Sequence, residues 1–159
     1  GAAIVDGNLL GGHIRRGGHL GHISLDPHGP ADVTGTPGSL EDAIGDCTVR
    51  KRSHGRFEST RALVGAAERG DRMAREVWTE SVRALAAGIA SLINVLDPEV
   101  VLLGGGIIQA GPTLFRPLRR FLNDFEWRPA GTRVQLIPAQ LGERAGSFGA
   151  AWNAMNLAV

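Results

Sequence analysis

Cysteine is nearly absent from this sequence of 159 residues, which contains only Cys47. A single cysteine cannot form a disulfide bond within the chain, and it cannot supply a cysteine-based metal cluster. The composition therefore predicts no disulfide framework and fits a cytoplasmic protein.

An excess of charge of one sign is also missing, since 17 lysines and arginines stand against 16 aspartates and glutamates. No basic surface dominates, so we expect no direct contact between this segment and nucleic acid. No apolar run has the length of a membrane span, and no basic region followed by an apolar one marks a signal peptide. We therefore expect no membrane association.

Glycine, in contrast, is abundant: 23 glycines lie at predicted turns, without a repeating period. Gly104, Gly105 and Gly106 follow the apolar run 100–103. A short apolar run that ends at glycine predicts a strand buried on both faces. Strand, glycine turn and helix is the arrangement by which an open α/β sheet brings its backbone close to a nucleotide. A tight strand-to-helix turn without a ligand fits a glycine triplet equally well.

Predicted strands and helices alternate along the rest of the chain, and no internal linker separates them. Asp6-Gly7 between two short apolar pairs predicts a β-hairpin, because glycine accepts a positive φ. The other predicted elements are strands at 23–25 and 134–137, helices at 39–45, 59–69, 71–96, 112–123 and 150–157, and an exposed loop at 50–58. This order predicts α/β layers with a sheet between helices.

The helix predicted to begin at Asp71 is the longest, and its apolar residues recur at intervals of three and four. We expect Trp78, Leu85, Ile89 and Leu92 to face the core. Small residues beside them widen this face, which predicts close packing against a sheet.

Several short sequence blocks, spread over nearly the whole chain, carry a family resemblance. They are Gly-His-Leu-Gly-His at 18–22, Asp-Pro-His-Gly-Pro at 26–30, Gly-x-x-Gly-Ser-Leu-Glu at 35–41, Asn-Val-Leu-Asp-Pro-Glu at 94–99 and Leu-Gly-x-x-Ala-Gly-x-x-Gly-Ala at 141–150. In this order they resemble the ROK family of bacterial sugar kinases and sugar-responsive repressors. The resemblance implies an α/β domain of the actin-like ATPase (ribonuclease H-like) fold.

The resemblance also implies that residues 1–159 are the C-terminal half of a two-domain sugar kinase fold, with a terminal helix over 146–159. The chain opens on Gly1 without an initiator methionine, so we expect it to be part of a larger protein. The family's phosphate motifs and catalytic aspartate have no counterpart here. We therefore assign no catalytic residue, and we expect the general base to lie in the missing N-terminal half.

Three residues are implied by the resemblance as a sugar site. His22 and Glu41 match sugar-hydroxyl ligands, and His19 stands where the family usually has a glutamate. A carboxylate and a neutral imidazole suit sugars, because each holds a hydroxyl by a directed hydrogen bond. His19 can donate or accept, but it cannot accept twice as a carboxylate does. The alternative is that the two histidines only hold the glycine-rich loop through hydrogen bonds to its backbone.

In the family, the same loop usually binds zinc through the histidine and three cysteines. The cysteine positions are occupied here by Asp32, Thr34 and Ser39. Hydroxyl groups are poor zinc ligands, and one histidine with one aspartate falls short of four ligands. We therefore expect no zinc and no other metal, and we expect Ser39, as a helix cap, and loop packing to hold the shape.

Three functions remain open. The first is a glucokinase-like hexose or N-acetylhexosamine kinase that uses ATP with Mg²⁺, with Gly104, Gly105 and Gly106 beside the adenosine. Its expected partners are the hexose, ATP, the N-terminal half and a second copy in a homodimer. The second is the sugar-sensing domain of a repressor with an upstream winged helix, and the third is a truncated product without catalysis. The glycine triplet favours the kinase.

Overall fold

The computed structural model describes residues 1–156, except for the side chain of Glu143. This part of the chain contains six α-helices and four strands. The helices are α1 (Leu40–Ile44), α2 (Val49–Arg52), α3 (Thr60–Glu68), α4 (Arg72–Leu96), α5 (Pro112–Phe125) and α6 (Ala145–Asn156). The strands are β1 (Ile4–Val5), β2 (Asn8–Leu9), β3 (Val100–Leu103) and β4 (Gln135–Pro138). The predicted order of elements is confirmed apart from the strand at 23–25, and positions 157–159 of the predicted terminal helix lie outside the described residues.

The strands form two separate sheets of two strands each. β1 and β2 pair in the predicted hairpin, with a positive φ at both Asp6 and Gly7. β3 and β4 are parallel, and α5 lies between them along the chain. The prediction that β3 is buried on both faces is wrong, because Val101 and Leu103 pack on the core while Leu102 on the opposite face is 60% exposed.

Helix α4 is the centre of the hydrophobic core, and α1, α3 and α5 all pack against it. Its buried side chains include those of Ala74, Trp78, Val82, Ala86, Ile89, Ala90 and Ile93. Burial of Trp78 and Ile89 is confirmed. Leu85 and Leu92 are only half-buried, and Leu85 packs against the core cluster.

The main contacts of α4 are with α1, α3 and α5 and not, as predicted, with a sheet. A Cβ atom on Gly88 would lie only 2.7 Å from a terminal carbon of Leu40. The absence of a side chain on Gly88 thus lets Leu40 pack closely on α4.

Helix α4 is also the one described helix whose length and mean hydropathy, 1.2 over 18 residues, are those of a membrane span. It reaches this mean hydropathy without an uninterrupted apolar run of that length, since Glu80 and Arg83 lie among its apolar residues. A buried core helix passes the same test, and α4 contacts three other helices through its apolar face. Its apolar character is thus accounted for by core packing.

Three helices begin at a side-chain cap, and the predicted cap at Ser39 is confirmed. Ser39, Ser59 and Asp71 accept hydrogen bonds from the backbone N–H groups of Asp42, Ala62 and Ala74, at 3.2, 3.2 and 2.9 Å. The exposed loop predicted at 50–58 is partly wrong. It begins inside α2. Ser53 is buried, and its hydroxyl accepts a hydrogen bond from the N–H of Phe57 at 3.0 Å.

Pro117 lies inside α5 and leaves one backbone carbonyl without its helical donor. Proline has no N–H, so the carbonyl of Thr113, four residues earlier, cannot form the usual bond. The indole Nε1 of Trp78 donates to this carbonyl at 3.0 Å. The proline is thus accommodated by a hydrogen bond from the core helix.

We expect Leu118→Ala to lower the free energy of unfolding by ~2–5 kcal/mol, because it opens a cavity in the core. Leu118 is fully buried in the core cluster. Chemical denaturation measures the loss, and Leu102→Ala on the exposed face of β3 is the control, with an expected loss below ~1 kcal/mol. Equal losses in the two variants would contradict this assignment of the core.

Candidate functional site

Residues 19–41, the histidine loop, fold back on themselves. The N–H of Leu25 donates to the carbonyl of Gly38 at 2.8 Å, and the N–H of Leu40 donates to the carbonyl of Ile23 at 2.9 Å. The strand predicted in this segment is thus reduced to a single antiparallel bridge. This bridge brings the start of α1 beside the 3-10 turn that contains His22.

Glu41 is held on α1 by its two preceding neighbours. Ser39 caps the helix through its hydroxyl, and Leu40 packs over Gly88 of α4. The carboxylate of Glu41 lies against Gly21, where a Cβ atom would come 2.5 Å from Oε2. Since Gly21 precedes His22 directly, the two predicted sugar ligands lie close together.

His22 is held by Asp32, ten residues further along the loop. The Nδ1 atom of His22 lies 2.9 Å from Oδ2 of Asp32. The Asp32 side chain is 1% exposed and that of His22 is 30% exposed. The sequence identified Asp32 only as a lost cysteine and missed this role. The spacing Asp-x-Thr-x-Thr, typical of a turn in which an aspartate accepts from the following backbone, was the available signal.

Asp32 accepts three further hydrogen bonds through Oδ1. The donors are the N–H and the hydroxyl of Thr34, at 2.8 and 2.7 Å, and the N–H of Thr36 at 3.0 Å. Burial alone would raise the pKa of Asp32, but hydrogen bonds from His22, Thr34 and Ser39 outweigh it and hold the pKa well below its usual range. Asp32 is therefore an ionised carboxylate throughout the physiological pH range.

His19, the third predicted sugar ligand, lies beside His22. The two rings are nearly parallel, with an angle of 14° between them and 6.3 Å between their centroids. The structure therefore brings His19 and His22 together and places Glu41 next to them across Gly21.

The residues at the family's zinc positions do not fit a zinc ion. Both oxygens of Asp32 already accept hydrogen bonds, and the other two positions offer the hydroxyls of Thr34 and Ser39. Among residues 1–156, no group of three or more histidine, cysteine, aspartate or glutamate side chains is arranged to hold a metal ion. Hydrogen bonds take the place of metal ligands in this loop.

The glycine triplet forms an open turn at the carboxyl end of β3. Gly105 has a φ of 79°, and a Cβ atom on Gly105 or Gly106 would meet nothing within 4 Å. The N–H of Ala139, directly after β4, donates to the carbonyl of Leu103 at 2.7 Å. Open α/β sheets bind ligands at the carboxyl ends of parallel strands. The helix predicted after the glycine turn is α5. It begins only at Pro112, after a 3-10 helix at Gly106–Ala110.

Comparison with known proteins identifies the family. The sequence profile of the ROK family matches residues 1–156. This chain belongs to the ROK family. It is 32% identical to the glucokinase of Thermotoga maritima over an alignment 168 positions long. It is 30% identical to the N-acetylmannosamine kinase of Escherichia coli over an alignment of 153 positions. Each alignment covers 95% of this chain but only 53% and 51% of the relative, so the chain spans about half the length of the curated relatives it matches.

Solved structures of ROK proteins share its fold. The ROK hexokinase of Thermus thermophilus superposes with a TM-score of 0.84 at 32% identity, over 94% of this chain and 51% of the hexokinase. The Streptomyces griseus glucokinase, solved with glucose and AMPPNP, gives 0.77 at 27% identity, over 94% and 55%. A ROK transcriptional regulator homologous to the Escherichia coli MLC protein gives 0.77 at 30% identity, over 94% and 41%. Family membership is thus confirmed. The actin-like ATPase fold is confirmed for the part of it that this chain spans, about half of the matched structures.

We expect the protein, purified without chelators, to contain no stoichiometric zinc, because no thiolate stands at the positions of Asp32, Thr34 and Ser39. Elemental analysis measures the metal. The positive control is the combined variant Asp32→Cys, Thr34→Cys and Ser39→Cys, which should bind zinc together with His22. One zinc per chain in the unsubstituted protein would contradict this prediction and show that side chains other than thiolates bind the metal.

Proposed function

We propose that this chain supplies the sugar-binding loop and the adenosine-side glycine turn of an ATP-dependent hexose or N-acetylhexosamine kinase, and that it is not active alone. The observation that carries the proposal is the position of the Glu41 carboxylate against Gly21, directly beside His22. Similarity to a glucokinase and to an N-acetylmannosamine kinase supports both sugar classes.

In the proposed enzyme, His19, His22 and Glu41 hold hydroxyl groups of the sugar. Fixed acceptors distinguish hydroxyl positions, because a ligand that leaves a buried polar group unpaired binds more weakly. The carboxylate that removes the proton from the reacting hydroxyl belongs to the N-terminal half, so no residue here is catalytic.

The turn formed by Gly104, Gly105 and Gly106 accommodates the adenosine of ATP. Its open backbone has room for a flat base or a ribose, and the similarity to a glucokinase solved with AMPPNP supports this use. When bound, ATP with Mg²⁺ supplies the phosphoryl group and neutralises its charge.

The proposed partners are the N-terminal half of the same protein and a second copy in a homodimer. Among the described residues of α6 none is buried, and Phe148, Trp152 and Met155 are 55, 66 and 77% exposed. Exposed apolar surface of this kind marks a contact with another domain or chain. A cytoplasmic location, without a membrane partner, fits the same family of sugar enzymes.

A sugar-sensing domain of a repressor is the second candidate. The ROK transcriptional regulator superposes as well as the glucokinase does, with a TM-score of 0.77 for both. The coding sequence upstream of Gly1 distinguishes the two. A winged helix-turn-helix there indicates the repressor, and a phosphate-binding hairpin with a catalytic aspartate indicates the kinase.

We expect Glu41→Gln, in the full-length protein, to weaken sugar binding by roughly ten- to a hundredfold. The change keeps the shape of the side chain and replaces one acceptor oxygen by a donor, which removes a charge-assisted bond worth ~1.5–3 kcal/mol. Calorimetry with glucose and with N-acetylmannosamine measures the affinity.

The control for this variant is Glu58→Gln, since Glu58 is an exposed carboxylate paired with Arg50. We expect it to leave sugar affinity unchanged. If Glu41→Gln binds both sugars as tightly as the unsubstituted protein, Glu41 is an acidic residue that favours the first turn of a helix and nothing more.

We expect Gly105→Val, also in the full-length protein, to weaken ATP binding and to leave sugar binding nearly unchanged, because the new side chain fills the space that the nucleotide needs. Gly55→Val is the matched control, since Gly55 has a φ of 82° and equally open surroundings. Both substitutions place a β-branched side chain at a positive φ. If Gly105→Val binds ATP as tightly as Gly55→Val does, the glycine triplet is a turn without a role in nucleotide binding.

A further inference from the structure

The hydrogen bonds around Asp32 have a fixed direction. The hydroxyl of Thr34 donates to Oδ1 of Asp32, so its proton is already engaged. Thr36, whose hydroxyl lies 3.2 Å from that of Thr34, must then be the donor of this second pair. The hydroxyl proton of Thr36 thus points to the hydroxyl oxygen of Thr34, and that of Thr34 points to the carboxylate, which accepts all of its bonds.

This direction determines the proton on His22. Two groups approach its Nδ1 atom: Oδ2 of Asp32 at 2.9 Å, which can only accept, and the hydroxyl oxygen of Thr34 at 3.4 Å, whose proton points elsewhere. Nδ1 must therefore carry the proton, since a neutral imidazole has one donor and one acceptor nitrogen. Among the described residues, the hydrogen bonds of this ring involve Nδ1 alone, which leaves Nε2 free to accept.

We propose that Asp32 is a positioning residue that makes Nε2 of His22 an obligate hydrogen-bond acceptor for the ligand. The inference rests on the proposed function for the identity of that ligand, a sugar. Nε2 accepts from a hydroxyl or an amide N–H, and it rejects a carbonyl oxygen, which cannot donate. Glu41, whose carboxylate lies against the neighbouring residue Gly21, is also an acceptor. The pair therefore selects a ligand that presents two neighbouring donors.

Asp32→Asn tests the inference, because it should reverse the proton on His22. The three donors from Thr34 and Thr36 hold the amide oxygen where Oδ1 now lies, so the new NH₂ group faces Nδ1. Nδ1 then becomes the acceptor, and the proton moves to Nε2. A change from aspartate to asparagine reverses a histidine in the same way in catalytic triads.

The measurement is the nitrogen-15 chemical shift of the His22 ring in the full-length protein, at about pH 8.5, roughly two units above the ordinary histidine pKa. We expect a protonated Nδ1 in the unsubstituted protein and a protonated Nε2 in Asp32→Asn. Affinity for glucose should fall roughly ten- to a hundredfold, with ATP affinity unchanged. Asp26→Asn, in the same loop but bonded to the N–H of His28, is the control and should change neither property.

A protonated Nε2 in the unsubstituted protein, or an unreversed ring in Asp32→Asn, overturns the inference. The first of these measurements needs no substitution, so it decides even if the variant does not fold. A reversed ring with unchanged glucose affinity also overturns it, because Nε2 then contacts no sugar. Absence of sugar binding in the unsubstituted protein is a different result and overturns the proposed function itself.

Discussion

The position of the candidate site depends on the packing of Leu40 over Gly88. Helix α1 has only five residues, and a helix of this length has no stability of its own. It is held because the side chain of Leu40 packs on Gly88 of α4 and is only 7% exposed. Glu41 follows Leu40 directly, so its carboxylate takes its place from the packing of the core helix.

Hydrogen bonds give the histidine loop a property that a metal ion would not. A metal attracts any available lone pair, whereas a carboxylate accepts only from a donor, so Asp32 sets which nitrogen of His22 carries the proton. A buried carboxylate destabilises a fold unless its oxygens are satisfied. The hydroxyl and backbone donors of Thr34 and Thr36 satisfy it here. The same bonds that order the loop therefore also orient its ligand-binding ring.

Local features of this chain were predictable from the sequence, and tertiary ones were less so. The caps at Ser39 and Asp71 and the hairpin at Asp6-Gly7 depend on neighbours a few residues away, and all are confirmed. Burial depends on distant partners. The helical period alone could not show that Leu85 is half-buried, and the apolar run of β3 could not show that one face of its sheet is uncovered. Asp32 was missed for the same reason, because its bond to His22 closes a loop of ten residues.

In the proposed sugar site, His19 would have a freedom in hydrogen bonding that His22 and Glu41 lack. Glu41 and Nε2 of His22 only accept, so they constrain the ligand to donors at both positions. Nothing comparable to Asp32 sets the proton of the His19 ring among residues 1–156, where this ring lies parallel to that of His22. Either nitrogen of His19 can carry the proton, and the ring can meet a hydroxyl, a carbonyl or a ring oxygen. A glutamate at this position would add a third obligate acceptor. In the proposed sugar site, His22 and Glu41 would therefore set the strictness of sugar selection, and His19 would set its breadth.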